Sequence, residues 1–556
     1  MPDRSVINAL FPQDLPEAAD WPRRYPPRRL PAGAEVTRFA PSPTGVLHIG
    51  GLYTAAVSRA LAHQTGGVHL LRVEDTDQSR EVAGAAGSFI RLLEAFGLSP
   101  DEGASVAADA QSRTDAGVRG PYLQSERREI YLSHVRDLLR RDMAYLCFCD
   151  KDQLAANAQA QRASRSPLGY YGRWAACRTL SDSEVEDKLT AGTPYVVRFR
   201  CPHEFPGRVR IDDRIRGSSV MQDNGNDVVL LKSSQETAPL PTYHLAHVVD
   251  DHLMGVTLVV RGEEWLSSTP LHLQLHTALG FPIPHYAHLA PLMKAEGPSR
   301  RKLSKRKDPE AAVEYYLSAG YPPRAVRHYL SGLANARLMD LPTAQALAAP
   351  VRIHEMRPTG PLVDLPKLNS ISREYIAALT ANEVHAQLLS WAADHDTDLH
   401  TALTADPRLA RQAISVAQGT GAQIRKDLTR WSDFRDRFGF LLPSLAPQHP
   451  ASDDERFDGL APALVHRIVK DFAANYQHSD NAAAWLDQIR AVAKRHGFAP
   501  DTWHWRQNPD HYAGPPRQVA GVIRVCVTGA ERSPDLFAVA QALGEQEVRR
   551  RLTLRT

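Results

Sequence analysis

The stretch Arg38-Phe39-Ala40-Pro41-Ser42-Pro43-Thr44-Gly45-Val46-Leu47-His48-Ile49-Gly50-Gly51 sets an imidazole and two glycines just beyond a proline-stiffened loop. Glycines two and three residues past His48 let a flat group approach the backbone closely. N–H groups at the start of a helix attract phosphate, and an imidazole beside them can donate one more hydrogen bond. Far downstream, Lys302-Leu303-Ser304-Lys305-Arg306-Lys307 follows Gly297-Pro298-Ser299-Arg300-Arg301. Two lysines three apart on a Gly- and Ser-bearing loop form a mobile cationic clamp, suited to neutralising charge on a leaving pyrophosphate. Each motif alone has a bland reading, a βα turn in one case and a solvated basic loop in the other. Their joint presence, with 254 residues from His48 to Lys302, favours chemistry on a phosphate group that releases pyrophosphate.

These residues need a scaffold, and the surrounding chain has the pattern of one. Glu35–Ala40 is a run of β-formers ahead of the breakers Pro41–Gly45, and an Ala-rich helical stretch follows His48 and ends near Gly66-Gly67. Val68–Val73 (VHLLRV) is a buried-strand pattern closed by Glu74-Asp75-Thr76-Asp77, and Ile90, Leu93 and Phe96 mark one face of a helix around Ser88–Phe96. Strand, glycine-bearing turn, helix, strand, helix is the pattern of a doubly wound parallel sheet. A second α/β segment starts at Val256–Val260 and leads into Arg261–Trp265, after which Ser268-Thr269-Pro270 marks a helix start. The expected fold class is α/β, with a Rossmann-type doubly wound parallel-sheet catalytic domain in two halves, 34–117 and 241–335. An insertion over 118–240 holds the strand-like Tyr195–Arg200. Residues 1–33, rich in Pro and Arg, read as an extended N-terminal arm. Past about 336 strand alternation stops. A linker region over 336–372 leads to an all-helical part, 373–556, with helix patterns at Glu374–Leu379, Ile414–Leu428 and Ala463–Tyr476.

Composition sets the outer limits. Lys+Arg total 66 against 63 Asp+Glu, a net charge of +3, which excludes wholesale coating of nucleic acid but not a local basic surface. No run approaches the roughly 18 apolar residues of a membrane span, and the N-terminus lacks an apolar core followed by a small-residue cleavage site. Five cysteines in 556 residues exclude a disulfide framework and point to a reducing cytoplasm.

Both motifs resemble the signature sequences of the class I aminoacyl-tRNA synthetases, in the glutamyl-tRNA synthetase form. The similarity extends through Gln124-Ser125-Glu126-Arg127, Pro241–Ala246, Val248–Gly255 and Arg261–Trp265, and more weakly to Thr528-Gly529, so it spans roughly 34–556. Glutaminyl relatives usually carry His where this chain has Gly51. The resemblance implies ATP-dependent ligation of L-glutamate to the 3′ end of tRNA(Glu) through a glutamyl-adenylate, releasing AMP and pyrophosphate. Magnesium accompanies ATP, tRNA must be bound before activation, and a cytoplasmic monomer without membrane contact is expected. Carried over by motif position, Arg38, Ala40, Ser42 and Glu74 line the amino-acid pocket, and Tyr243, Arg261 and Trp265 close it. His48, Gly50, Gly51 and Lys305 contact ATP, and His48, Lys302 and Lys305 serve catalysis. A guanidinium such as Arg38 suits the substrate's γ-carboxylate through two charge-assisted hydrogen bonds, and Glu74 suits its α-ammonium. His247 stands where some relatives present Asn.

The resemblance further implies that the insertion holds the acceptor end of tRNA and that the C-terminal helices read the anticodon. Stacking faces and hydrogen-bonding groups for unpaired bases are sought in Arg425, Lys426, Arg430-Trp431, Phe434-Arg435 and Arg549–Arg551. Some glutamyl enzymes hold structural zinc in the insertion, and here Cys147, Cys149, Cys177 and Tyr171 would be the ligands. Metal-free cysteines are the alternative. Rival functions are a paralogue that glutamylates a modified tRNA base or charges a non-standard tRNA, a small-molecule adenylyltransferase and a silent RNA-binding module. The helical C-terminal half counts against the first two, and the joint presence of His48, Gly50, Lys302 and Lys305 against the third.

Overall fold

The computed structural model describes residues 3–106, 113–202, 207–419 and 424–554. The chain divides into two units, Met1–Tyr315 with Arg327–Asp364, and Tyr316–Val326 with Leu365–Thr556. The first unit begins with α1 (Arg4–Ala9), α2 (Trp21–Arg24), β1 (Val36–Phe39), α3 (Ile49–His63), β2 (Val68–Leu71), α4 (Ala85–Ala95), β3 (Glu102–Val106) and β4 (Arg113–Ala116). It continues through α5 (Arg128–Arg140), β5 (Ala144–Cys147), α6 (Lys151–Ala163), α7 (Asp182–Thr190), β6 (Val196–Phe199), β7 (Arg208–Asp213), β8 (Gly217–Gln222) and β9 (Val229–Leu231). Then come α8 (Tyr243–Leu253), β10 (Leu258–Gly262), α9 (Thr269–Leu279), β11 (His285–Leu289), β12 (Met293–Glu296) and β13 (Ser299–Lys302).

Strand β1 is buried along its length, as its Val-Thr-Arg-Phe composition requires of a central strand. It pairs parallel with β2, Val36 opposite Val68, and α3 makes the crossover. Gly67 permits that return. A Cβ there would lie 1.9 Å from the carbonyl oxygen of Glu35. Strand β3 adds parallel to β2, and β4 antiparallel to β3. A second sheet runs β10-β11-β7-β8, with β10, β11 and β7 mutually parallel. The two sheets meet at β1, where the Thr257 amide donates to the Val36 carbonyl at 3.0 Å and the Val36 amide donates to Thr257 Oγ1 at 2.9 Å. Chain order reverses there, and such a reversal opens a ligand crevice at the carboxyl ends of the strands. Arg38 near the end of β1 and Arg261 near the end of β10 both stand at that crevice.

Within 118–240, β5, β6 and β9 form a separate antiparallel sheet, but the β7–β8 hairpin returns to the catalytic sheet through Asp213 opposite Tyr286. The N-terminal segment is not the extended arm its composition suggests. Ile7, Phe11, Leu15 and Trp21 are buried in one core with Ile130, Val135 and Leu138 of α5. Arg136 donates to the carbonyls of Leu15 and Pro16, both at 2.9 Å, and Arg28 pairs with Glu102 at 2.6 Å while donating to the Met254 carbonyl at 2.9 Å. Four apolar side chains hidden among Pro and Arg outweigh the local preference for an open chain.

The second unit is helical, with helices such as Leu365–Ala377, Ala381–His395, Pro407–Gln418, Pro462–Asn475 and Pro516–Thr528, and no β-strand among its described residues. The helix expected over Ile414–Leu428 is corrected. It stops at Gln418, because Gly419 takes φ +78°, and residues 420–423 lie outside the described residues. Gly419 is the breaker that the helical periodicity concealed.

Candidate active site

A cavity of about 520 Å³ at the strand ends is lined by Arg38, Ala40, Ser42, His48, Gly50, Gly51, Glu74, Tyr243, Arg261, Trp265, Lys302 and Lys305. It brings together all the catalytic, ATP and amino-acid positions named from the sequence. His48 caps α3, and its Nδ1 accepts from the Gly50 amide at 2.9 Å. That bond assigns the ring proton to Nε2. Burial first, and Lys305 second, hold the imidazole below its ordinary range, so His48 is a neutral donor. The expectation of open helix N–H groups needs correction here, since Gly51 and Leu52 donate to the His48 carbonyl at 2.7 and 3.2 Å. Gly51 has a packing duty as well, because a Cβ on it would meet Leu47 Cδ1 at 3.0 Å and Phe39 Cζ at 3.4 Å.

The amino-acid end of the cavity is a buried field of charge. Asp251, on α8, accepts from Arg38 Nε at 3.2 Å and from Arg72 Nη1 at 2.7 Å. Burial acts upward on this carboxyl, yet Arg38 and Arg72 hold it below the usual range. Arg72 also donates to Glu74 at 2.9 Å, and burial still pushes the Glu74 carboxyl upward. A second buried pair, Arg127 and Asp250 at 2.7 Å, lies beside them. Sequence reading quoted the segments that hold Arg72 and Asp251 but placed neither residue at the site. The signal was available: an arginine inside the apolar run VHLLRV demands a buried partner.

Arg261 sits in different company. Its Nε donates to His288 Nε2 at 3.0 Å, Nη1 lies 3.1 Å from His272 Nδ1 and 3.4 Å from His247 Nε2, and Nη2 donates to Thr269 Oγ1 at 3.0 Å. The Tyr243 and Trp265 rings pack with centroids 4.2 Å apart and wall the pocket. His272 and His288 were also missed, since the histidines of α9 and β11 find their partner in Arg261 only through the fold.

The hairpin β12–β13 delivers the lysine loop. Asp308 anchors it, accepting from Arg301 Nη1 at 2.6 Å, from Lys294 Nζ at 2.9 Å and from the Ser304 amide at 3.0 Å. Lys305 Nζ donates to the Val46 carbonyl, in the first motif. The chain beyond the loop docks there too, as the Val313 amide donates to the Leu47 carbonyl at 3.0 Å. Burial lowers the Lys305 ammonium.

In the insertion, the Cys147, Cys149 and Cys177 sulfurs lie within 4.8 Å of one another. The tyrosine beside them is Tyr170, whose hydroxyl is 3.4 Å from Cys147 Sγ and 3.2 Å from Cys149 Sγ. Tyr171 is corrected out of the set, because its hydroxyl donates to the Pro167 carbonyl at 2.6 Å. A hydrogen bond with Cys177 lowers the Cys147 thiol to about 5. Cys149 and Cys177 sulfurs are 3.5 Å apart, against about 3.8 Å for two thiolates on tetrahedral zinc with ~2.3 Å bonds. Three thiols and a phenol at this spacing fit zinc.

Among the RNA-contact candidates of the second unit, Trp431 and Phe434 are buried and offer no stacking face. Arg425, Lys426, Arg430 and Arg435 pair with Asp427, Glu374, Asp433 and Asp396. Arg551 is buried and donates to the Phe440 and Val527 carbonyls, whereas Arg549 and Arg550 stay on the surface, paired with Glu545 and Glu547. Aromatic residues in a helical segment served its core first.

Comparison with known proteins agrees with this geometry. Residues 35–351 match the model of the catalytic domain of class I tRNA synthetases (E and Q), and residues 515–554 match an anticodon binding domain. A glutamate–tRNA ligase of Clostridium perfringens is 37% identical over 99% of this chain and 99% of its own, and that of Sorangium cellulosum is 38% identical over 96% of each. The crystal structure of a glutamate tRNA ligase from Elizabethkingia meningosepticum, in complex with its amino acid, superposes with a TM-score of 0.73 at 25% identity, covering 93% of this chain and 98% of that one. With its catalytic region and nearly its full length matched, the protein belongs to the class I tRNA synthetases of the glutamyl and glutaminyl type.

Proposed function

We propose that this protein ligates L-glutamate to the 3′ end of tRNA(Glu) in two steps. A glutamate carboxylate oxygen attacks the α-phosphorus of ATP, and the bond to pyrophosphate breaks. The terminal ribose hydroxyl of tRNA then attacks the acyl carbon and AMP leaves. The observation that carries this reading is one cavity holding the His48 and lysine motifs at one end and two buried guanidiniums, Arg38 and Arg261, at the other. Full-length similarity to glutamate–tRNA ligases supports the same substrate.

In this scheme Arg38, Ala40, Ser42, Glu74, Tyr243, Arg261 and Trp265 hold glutamate, and His48, Gly50, Gly51 and Lys305 hold ATP with its magnesium. Neutral His48 donates to phosphate. Lys302 and Lys305 meet the charge that builds on departing pyrophosphate. Residues of the insertion receive the acceptor end, and the helical C-terminal unit reads the anticodon. Cys147, Cys149, Cys177 and Tyr170 would hold zinc as a structural tie. The match to an anticodon binding domain at 515–554 weighs against a paralogue without that half. The test is charging of purified glutamate and glutamine tRNAs, with ATP–pyrophosphate exchange run with and without tRNA. Failure to charge tRNA(Glu) with glutamate would overturn the reading.

A further inference from the structure

Arg261 is buried, yet among the described residues no carboxylate lies within salt-bridge distance of it. Arg38 and Arg72, by contrast, both pair with Asp251, and Arg72 pairs with Glu74 as well. A buried guanidinium is ordinarily matched by an anion of the protein, because an uncompensated one is costly. Here the acceptors around it are uncharged. His288 offers Nε2 at 3.0 Å, His272 Nδ1 lies at 3.1 Å and Thr269 Oγ1 accepts at 3.0 Å, with His247 Nε2 farther off at 3.4 Å.

One of these rings is fixed from behind. His288 Nδ1 lies 2.7 Å from Asp213 Oδ2. A carboxylate at Nδ1 requires the ring proton there, which leaves Nε2 as a lone pair aimed at Arg261. Asp213 is itself held, accepting from the amides of Ile215 at 2.9 Å, Arg216 at 2.8 Å and His288 at 3.0 Å. His247 differs, because its Nδ1 faces both Asp251 Oδ2 at 3.2 Å and the donor Arg38 Nη2 at 3.4 Å.

We propose that Asp213–His288 is a positioning dyad that holds Arg261 by a neutral acceptor, so that its charge stays free for the substrate's side-chain carboxylate. The His288 imidazole does not touch substrate. It acts by aiming the guanidinium and by declining to neutralise it. A protein carboxylate in its place would already satisfy the cation, and an amide substrate would then compete on nearly equal terms. The inference rests on glutamate being the substrate.

The experiment compares His288→Gln with His288→Asn in the full-length protein, using tRNA-dependent ATP–pyrophosphate exchange. Both are amides. Gln can place an acceptor where Nε2 lies, whereas Asn can keep the bond to Asp213 but cannot reach Arg261. We expect His288→Asn to raise KM for glutamate roughly 10- to 100-fold, the range for losing a hydrogen bond to a charged group, and to narrow the preference for glutamate over glutamine. KM for ATP and the exchange kcat should change little, and His288→Gln should restore most of the loss. Equal glutamate KM in both variants and the parent would overturn the dyad. So would a parallel loss of kcat, glutamate KM and ATP KM that Gln fails to rescue, since that marks a merely structural role. A parent that does not activate glutamate would instead overturn the substrate reading.

Discussion

Lys305 reaches from the second motif to the Val46 carbonyl of the first, so the two signature segments are in contact. Its ammonium, lowered by partial burial, supplies a positive charge beside the first motif. As pyrophosphate leaves, such a charge stabilises the transition state more than the ground state. Lys305→Ala should lower kcat for adenylate formation by roughly 10²–10³, by analogy with deleting one preorganised donor, with a much smaller change in KM for ATP. Transfer from preformed adenylate should be spared. Single-turnover measurement of each step checks this, and equal slowing of both would mean that Lys305 serves the RNA or the fold.

Among the elements, the N-terminal segment contributes to the core. Trp21 is 3% exposed and packs with α5 residues, so Trp21→Ala should cost about 3–5 kcal/mol, the usual loss for a buried Trp. Urea unfolding measures it, and a loss below about 1 kcal/mol would show the segment to be only loosely docked. The insertion offers a second test through its thiols. Cys177 stands 3.5 Å from Cys149, and Cys177→Ser should abolish zinc retention on elemental analysis and lower the melting temperature, with the parent protein near one zinc per chain. A parent with clearly substoichiometric zinc after chelator-free purification removes the metal assignment.

For the whole molecule, the first unit buries an unusual set of neutral histidines. Burial lowers His69 to about 3 and His276 to about 4, and holds His247 and His272 well below the ordinary value. The folded values lie below the unfolded one near 6.5, so in acid the unfolded chain binds protons that the folded chain refuses. Stability is then complete above pH of about 6.5 and is lost as pH falls toward 4, by up to about 1.4 kcal/mol per pH unit for each ring. Denaturation midpoints between pH 7 and 4 measure the slope. His276→Phe should take one ring out of it, and an unchanged slope would mean that His276 is protonated in the fold.

Local pattern carried much of this protein. Strand, turn and helix around His48 follow from β-branched residues, prolines and glycines within a few positions, and the lysine loop follows from its glycine and serine. Those signals act over one turn or one strand, which is why β1, α3 and β2 could be read along the chain, whereas the pocket-lining positions came from the resemblance to the glutamyl-tRNA synthetases. Contacts between distant residues were decided by the assembled fold. Asp251 reaches Arg38 across 213 positions and Asp213 reaches His288 across 75, and no periodicity records either meeting. The same holds for Tyr170 in place of Tyr171, for the buried Trp431 and Phe434, and for an N-terminal segment whose composition reads as open chain but whose apolar side chains found α5. Burial and the demand that each buried charge find an acceptor act through space, so they appear only when the chain has closed on itself.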